Sequence, residues 1–246
     1  MIKRRFFLST LLSQQVTMDG NEAHHLLHVL RQKVGDEVVI VDIAGQAAIA
    51  TITSIDQGKA MLTVLERLSE AREAPITVVL AQGLTKSDKM DYIVQKSTEL
   101  GITAVIPMAA DESVVKYDIT KQQSRQMRWQ KIASEAAKQC RRNTIPDIGD
   151  VQMLEQVLED AKADTNIMMF YEGDTPLGIK QALTDSRSGS YLIIVGPEGG
   201  FSAREVALAK AKGVQLVTMG PRILRTETAA IAAVSIVMYH HGDLGG

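Results

Sequence analysis

The last third of the chain carries two successive stretches of one grammar, YLIIVG-PEGGF-SAREVALAKAKG and then VQLVTMG-PRILR-TETAAIAAVSIVMYHH. Each reads as an apolar strand, a loop opening on Gly-Pro at the strand's carboxyl end, and a helix. Successive units of this kind point to an α/β sheet, where ligands bind outside the carboxyl ends of the strands. Glycine lets the backbone approach a ligand closely, and proline fixes the turn that follows. The familiar nucleotide signatures are excluded. Gly196, Gly199 and Gly200 do not make G-x-G-x-x-G, neither loop contains G-x-x-x-x-G-K-[ST], and VQLVTMG does not end in an acid that would hold a ribose. An adenosine ligand here would be held by backbone groups of the two loops.

Upstream, the apolar runs ITVVLAQ, TAVIPM and NIMMFYE alternate with helical stretches, as in a mostly parallel sheet covered on both faces. The helix after Ser87 places Met90, Ile93, Val94 and Leu100 on one stripe, with Gly101 where a left-handed cap belongs. Ser202 and Glu205 fit a capping box, and that helix stops near Gly213. Before Pro75 the pattern differs: RRFFL, EVVIVD, QAAIATITSI and KAMLTVLERL are short strand-like runs, and NEAHHLLHVLRQ alone has helical periodicity. The expected organisation is a small β-rich domain over 1–72 and an α/β domain over 73–246.

With 246 residues and 45% hydrophobic content, a sizeable core is assured. AAIAAVSIVMY falls short of the roughly 18 apolar residues of a membrane span, and no charged-then-apolar leader opens the chain. The single cysteine, Cys140, excludes an internal disulfide and agrees with a reducing cytoplasm. A formal net charge of −2 argues against a uniformly basic coat for nucleic acid. Locally the balance reverses: Lys121, Arg125, Arg128, Lys131, Lys138, Arg141 and Arg142 stand against the single acid Glu135. At 100° per residue, Lys121, Arg128, Lys131, Lys138 and Arg142 share one helical face, which suits either phosphate or plain solvent.

GPRILRTETAA poses an electrostatic problem, because Arg222 and Arg225 stand just before a helix whose free N–H groups already carry partial positive charge. Something must compensate: the carboxylate of Glu227, or an anion from outside. Arg225 and Glu227 pairing with each other to hold the loop is the structural reading. His24 and His28 share a helical face, but no third ligand accompanies them, so no metal is expected.

Taken together, GPEGGFSAREV, MGPRILRTETAAIAA, KSDKMDYIVQKSTELGITAVIPM and WQKIASEAAKQCRRN closely resemble the knotted SPOUT-class methyltransferases, specifically the small-subunit (16S) ribosomal RNA uridine N3-methyltransferases. RRFF and HHLLHVLRQKVGDEV are similar to that family's N-terminal PUA-like β-barrel, so the resemblance spans nearly the whole chain. It implies a trefoil knot in the C-terminal domain, bound S-adenosylmethionine, and a homodimer whose interface helps build the site. It also implies a cytoplasmic enzyme acting on ribosomal RNA, within the assembled small subunit, with neither membrane nor metal. In the family's QCxRN match, Arg141 replaces a residue that is often glycine.

The resemblance places Gly196, Glu198 and Gly200 in one wall of the cofactor site and Met219, Gly220, Ile223 and Leu224 in the other, with Phe170 at the end of NIMMF joining them. Ile223 and Leu224, apolar in a polar loop, suit an adenine face; core filling is the plain alternative. Transfer to uracil N3 requires loss of the imide proton and stabilisation of charge over N3, O2 and O4. Arg225 is the candidate for stabilising that anion, with Glu227 either the base or the group that orients the arginine. Arg4, Arg5, Arg31, Arg128, Arg142 and Arg222 are the candidate RNA contacts. Two other readings stand beside this one: a non-catalytic RNA-binding ribosome-assembly factor, and methyl transfer to another RNA position.

Overall fold

The computed structural model describes residues 4–115, 117–173, 175–186 and 188–246. It divides into two compact units. The first runs through Glu73 and also takes Ala137–Thr144; the second takes Ala74–Ala136 and Ile145–Gly246. A segment from later in the chain thus returns to the first unit.

In the first unit, strands β1 (Arg5–Phe7), β2 (Gln15–Met18), β3 (Glu37–Val41), β4 (Ala47–Asp56) and β5 (Lys59–Leu68) form a five-stranded sheet in the order β1-β3-β4-β5-β2. β1 pairs with β3 in parallel, and the other pairs are antiparallel. Asp56 pairs with Lys59 across a two-residue turn whose central residues, Gln57 and Gly58, both have positive φ (45° and 76°). That is the turn whose twist matches a tight hairpin, and it fixes the register of the two longest strands. Phe6, Leu26, Val38, Ile40, Ile52 and Leu62 are packed into the core of this unit. The stretch read as one helix is in fact two: α1 (Gly20–His24) gives way to a π-helical turn, His25–Val29.

The second unit is built on a six-stranded sheet of β6 (Thr77–Gly83), β7 (Ala104–Met108), β8 (Asp147–Ile148), β9 (Asn166–Phe170), β10 (Ser190–Val195) and β11 (Gln215–Val217). Their order is β11-β9-β10-β6-β7-β8, and every pair is parallel. Parallel strands need crossover connections, here including α2 (Ser87–Glu99), α3 (Ile119–Cys140), α4 (Leu154–Glu159), α5 (Ile179–Thr184) and α6 (Ala203–Ala211), before α7 (Thr226–His240) ends the fold. The strands are buried on both faces: Leu80, Ile193 and Val195 belong to one apolar cluster, Ala81, Leu192 and Ile194 to another. That explains why they read as continuous apolar runs rather than as alternation.

Local signals mark the helix ends as expected. Ser202 Oγ accepts from the Glu205 N–H, and the Glu205 carboxylate in turn accepts from the Ser202 N–H. Gly101 (φ 96°) and Gly213 (φ 74°) close α2 and α6 in the left-handed conformation. Arg141 does the same for α3 without being glycine, at φ 66°, with the Arg142 N–H reaching the Ala137 carbonyl at 2.9 Å.

Candidate functional site

The carboxyl ends of β9, β10 and β11 meet at one cavity of about 700 Å³. Phe170, Gly196, Glu198, Gly200, Met219, Gly220, Ile223 and Leu224 all line it, together with Arg222 and Arg225. Phe170 ends β9, in register with Val195 of β10 and Val217 of β11, so three strands deliver their following loops to the same place. Gly200 has φ 74°, a left-handed conformation that favours glycine. Ile223 is 79% exposed although apolar, and lines the cavity rather than the core.

A buried polar knot ties these loops to the sheet. Gln82, at the end of β6, donates from Nε2 to Thr226 Oγ1 (2.9 Å) and to the Gly83 carbonyl (3.0 Å), and Thr226 Oγ1 donates to the Gly196 carbonyl (2.6 Å). Gly83 has no room for a side chain: a Cβ would stand 2.4 Å from the Pro197 nitrogen. The end of β6, the first Gly-Pro loop and the start of α7 are thus held as one body.

Arg225 is the N-cap of α7, and its side chain offers the helix no capping hydrogen bond. Arg222 and Arg225 are exposed, and among the described residues neither has an ion pair. Among the described residues, Glu227 closes no ion pair with either arginine, although Arg225 acts on it through space. Glu227 lies beside Lys89 of α2 instead, Nζ to Oε2 3.2 Å, and Lys89 Nζ also reaches Glu198 Oε1 at 3.1 Å. Oε2 of Glu227 is buried without a directed hydrogen bond among the described residues, so its contact with Lys89 is electrostatic. Burial pushes the Glu227 carboxyl up, but its own backbone N–H, Lys89 and Arg225 together hold it below the usual range. Glu227 is not on the cavity wall, whereas Lys89 is.

The basic candidates separate into groups. Arg4 and Arg31 are exposed, and Arg31 holds φ 54° just beyond the π-helical turn. Arg128 is exposed and paired with Asp91 at 2.6 Å, a surface pair that contributes little. Arg5 and Arg142, expected as RNA contacts, are engaged by carboxylates inside the first unit. The Arg5 side chain is 5% exposed, pairs with Glu70 at 2.6 Å and donates to the Arg142 carbonyl at 3.1 Å and to the Asn143 side chain. The Arg142 side chain is 7% exposed and grips Glu73 through Nε (2.9 Å) and Nη2 (2.6 Å). Glu73 also accepts from the backbone N–H groups of Asn143 and Thr144, which is why Ala137–Thr144 joins the first unit. Lys138 on the same helical face pairs with Glu22 at 2.6 Å, so the basic face is partly consumed inside the unit. His24 and His28 have ring centroids 4.9 Å apart, and among the described residues no three His, Cys, Asp or Glu side chains gather as a metal site.

Sequence reasoning missed Lys89, Gln82 and Thr226. Lys89 precedes Met90 of the apolar stripe and looks like an ordinary polar-face residue; nothing local marks its two carboxylate partners.

Comparison with known proteins agrees with this geometry. Residues 72–238 match the model of the RNA methyltransferase domain, and residues 18–65 that of the RNA methyltransferase PUA domain. The ribosomal RNA small subunit methyltransferase E of Bacillus subtilis is 37% identical, with 99% of each chain covered. A solved structure of the Neisseria gonorrhoeae enzyme of the same name, bound to S-adenosyl methionine, superposes with a TM-score of 0.88 at 32% identity over 99% of this chain and 100% of that one. A Legionella pneumophila methyltransferase solved with the same cofactor gives a TM-score of 0.89 at 28% identity, with 99% and 100% covered. A mixed α/β chain with a PUA domain, a methyltransferase domain and this loop geometry is thereby placed: it belongs to the ribosomal RNA small subunit methyltransferase E family.

Proposed function

We propose that the protein transfers a methyl group from S-adenosylmethionine to N3 of a uridine in small-subunit (16S) ribosomal RNA. The observation that carries this is the pair of exposed arginines, Arg222 and Arg225, at an uncapped helix start on the cavity wall, without an ion pair among the described residues. A helix N-terminus with free N–H groups and added cations is an anion site. An RNA phosphate and a uracil losing its imide proton are the anions that suit it.

The cavity fits the cofactor. Ile223 and Leu224 offer apolar surface, and among the described residues no backbone N–H from Arg222 to Leu224 donates to a protein acceptor, which leaves donors for a heteroaromatic ring. Phe170, Gly196, Glu198, Gly200, Met219 and Gly220 complete the walls that would hold it. The cofactor supplies a methyl group already activated by a sulfonium charge. Arg225 stabilises negative charge on the uracil ring and so makes the imide proton easier to lose. Glu227, shielded and held ionised by Lys89, supports the electrostatic arrangement rather than acting as the base.

The same reading includes the trefoil knot, the closed barrel and the homodimer. For the knot, α7 follows edge strand β11 yet packs on α2, β10 and β6, and Gly83, Pro197 and Thr226 crowd at one crossing. For the dimer, α2 and α7 each carry an exposed tyrosine, Tyr92 (48%) and Tyr239 (69%). Arg4, Arg31, Arg128 and Arg222 are the arginines left for RNA within the assembled subunit, in the cytoplasm; no helix among the described residues is long and apolar enough to cross a membrane.

The test is transfer of labelled methyl to small subunits lacking their native modifications, with naked RNA alongside and the product nucleoside identified by mass spectrometry. A single N3-methyluridine formed on subunits is expected. Cofactor binding without transfer to either RNA would favour the assembly-factor reading, and a different methylated nucleoside would move the acceptor.

A further inference from the structure

Lys89 stands in the first turn of α2, where a cation opposes the helix dipole, yet its side chain is only 21% exposed. Its ammonium lies between carboxylates from two other segments, 3.1 Å from Glu198 of the first Gly-Pro loop and 3.2 Å from Glu227 of α7. Arg225 is two residues before Glu227 on the same first turn. A guanidinium beside a partly buried carboxylate normally closes a fork-to-fork pair, but here the carboxylate is already engaged and the arginine is exposed.

We propose that Lys89 is a positioning residue: by holding Glu227, it keeps that carboxylate from capturing Arg225 and leaves the guanidinium free for the acceptor base. This rests on the methyl-transfer reading above. Burial works against the ammonium, but Glu198 and Glu227 keep its pKa above the usual lysine value, so it stays charged throughout the physiological range. Replaced by a neutral residue of similar length, Lys89 would leave Glu227 Oε2 buried with Arg225 as the other cation that acts on it. The arginine would then turn inward and the acceptor side of the site would lose its charge, while the cofactor walls would keep their shape.

The alternative is a brace, in which Lys89 only fixes the Gly-Pro loop through Glu198. Single-turnover transfer and cofactor affinity, measured for Lys89→Met, Glu227→Gln, Glu198→Gln, Lys89→Met/Glu227→Gln and Lys89→Met/Glu198→Gln, separate the two, with each variant's melting curve confirming folding. Lys89→Met is expected to slow transfer about 30-fold while the cofactor Kd moves less than about threefold. Adding Glu227→Gln should restore the rate to within about fivefold of Glu227→Gln alone, because no carboxylate then captures the arginine. Rescue by Glu198→Gln instead, strictly additive losses, or a Lys89→Met rate within about threefold of wild type would overturn the proposal. Solvent exchange of the Arg225 Nε–H, assigned by its absence in Arg225→Lys, judges the arrangement without any turnover. It should slow in Lys89→Met and recover with Glu227→Gln; equal exchange in wild type and Lys89→Met contradicts the proposal. If wild type transfers no methyl at all, the methyl-transfer reading fails, and this exchange measurement still decides the role of Lys89.

Discussion

The arginines of the first unit and those of the second Gly-Pro loop carry the same guanidinium in opposite circumstances. Arg5 and Arg142 are closed in on Glu70 and Glu73 with 5% and 7% of their side chains exposed. Arg222 and Arg225 are open, beside a cavity and a helix start, with no ion pair among the described residues. All four stand in basic, motif-like stretches, so position in a basic run does not decide whether an arginine is available to an anion. What decides is whether the fold supplies a carboxylate at the depth where the arginine ends up. A buried pair holds a unit together, whereas an unpaired exposed cation next to orphan N–H groups is electrostatically unfavourable until an anion arrives.

Truncation should show the widest gap. Arg142→Ala leaves a partly buried carboxylate without its main counter-charge and should cost about 3 kcal/mol in urea unfolding, while Arg222→Ala should change stability by less than about 0.5 kcal/mol. Equal losses would break the comparison. Acid should act on the same side of the divide. Burial raises Glu73, but Arg142, Thr144 and the Asn143 N–H outweigh it, and Arg72 and Arg5 likewise hold Glu70 down against its burial; both carboxyls sit below the ordinary value of 4.5. A depressed folded-state pKa contributes stability that is complete above the unfolded-state value and is lost as pH falls through the folded-state one. Unfolding free energy should therefore decline as pH drops below about 4.5, and the decline should flatten in Arg142→Ala. Identical acid slopes in the two proteins would mean that other carboxylates dominate.

On the open side, Arg222→Ala should weaken RNA binding at all sequences and lower the salt slope of log K by about 1, one phosphate contact, as read by filter binding across a salt series. An unchanged slope would take Arg222 off the RNA. The smallest effect expected is a gain: Arg141 occupies a left-handed helix cap at φ 66°, so Arg141→Gly should raise stability by about 0.5–1 kcal/mol in thermal unfolding.

Legibility followed the range of the interaction. Gly101, Gly213 and the Ser202–Glu205 box were readable because helix ends are set by residues within a turn of each other. The parallel strands were readable because burial on both faces leaves an unbroken apolar run, whereas β8, two residues long, leaves no pattern at all. The cavity-lining residues came together because the short loops after β10 and β11 flank the end of β9, where Phe170 sits. Arg5, Arg142 and Lys89 were not readable, since their partners lie far along the chain, Glu70 and Glu73 within what looks like a charged linker. A motif shows which residues recur together; only the fold shows which charge each one faces.

Single-turnover methyl transfer to small subunits by wild type and Arg225→Ala, with cofactor affinity measured on the same samples, decides whether an unpaired arginine at the start of α7 stabilises the charge formed on the acceptor. Arg225→Ala is expected to transfer methyl about 100-fold more slowly at a cofactor Kd within about threefold of wild type. A rate within about threefold of wild type would contradict it and leave Arg225 a bystander at the mouth of the cavity.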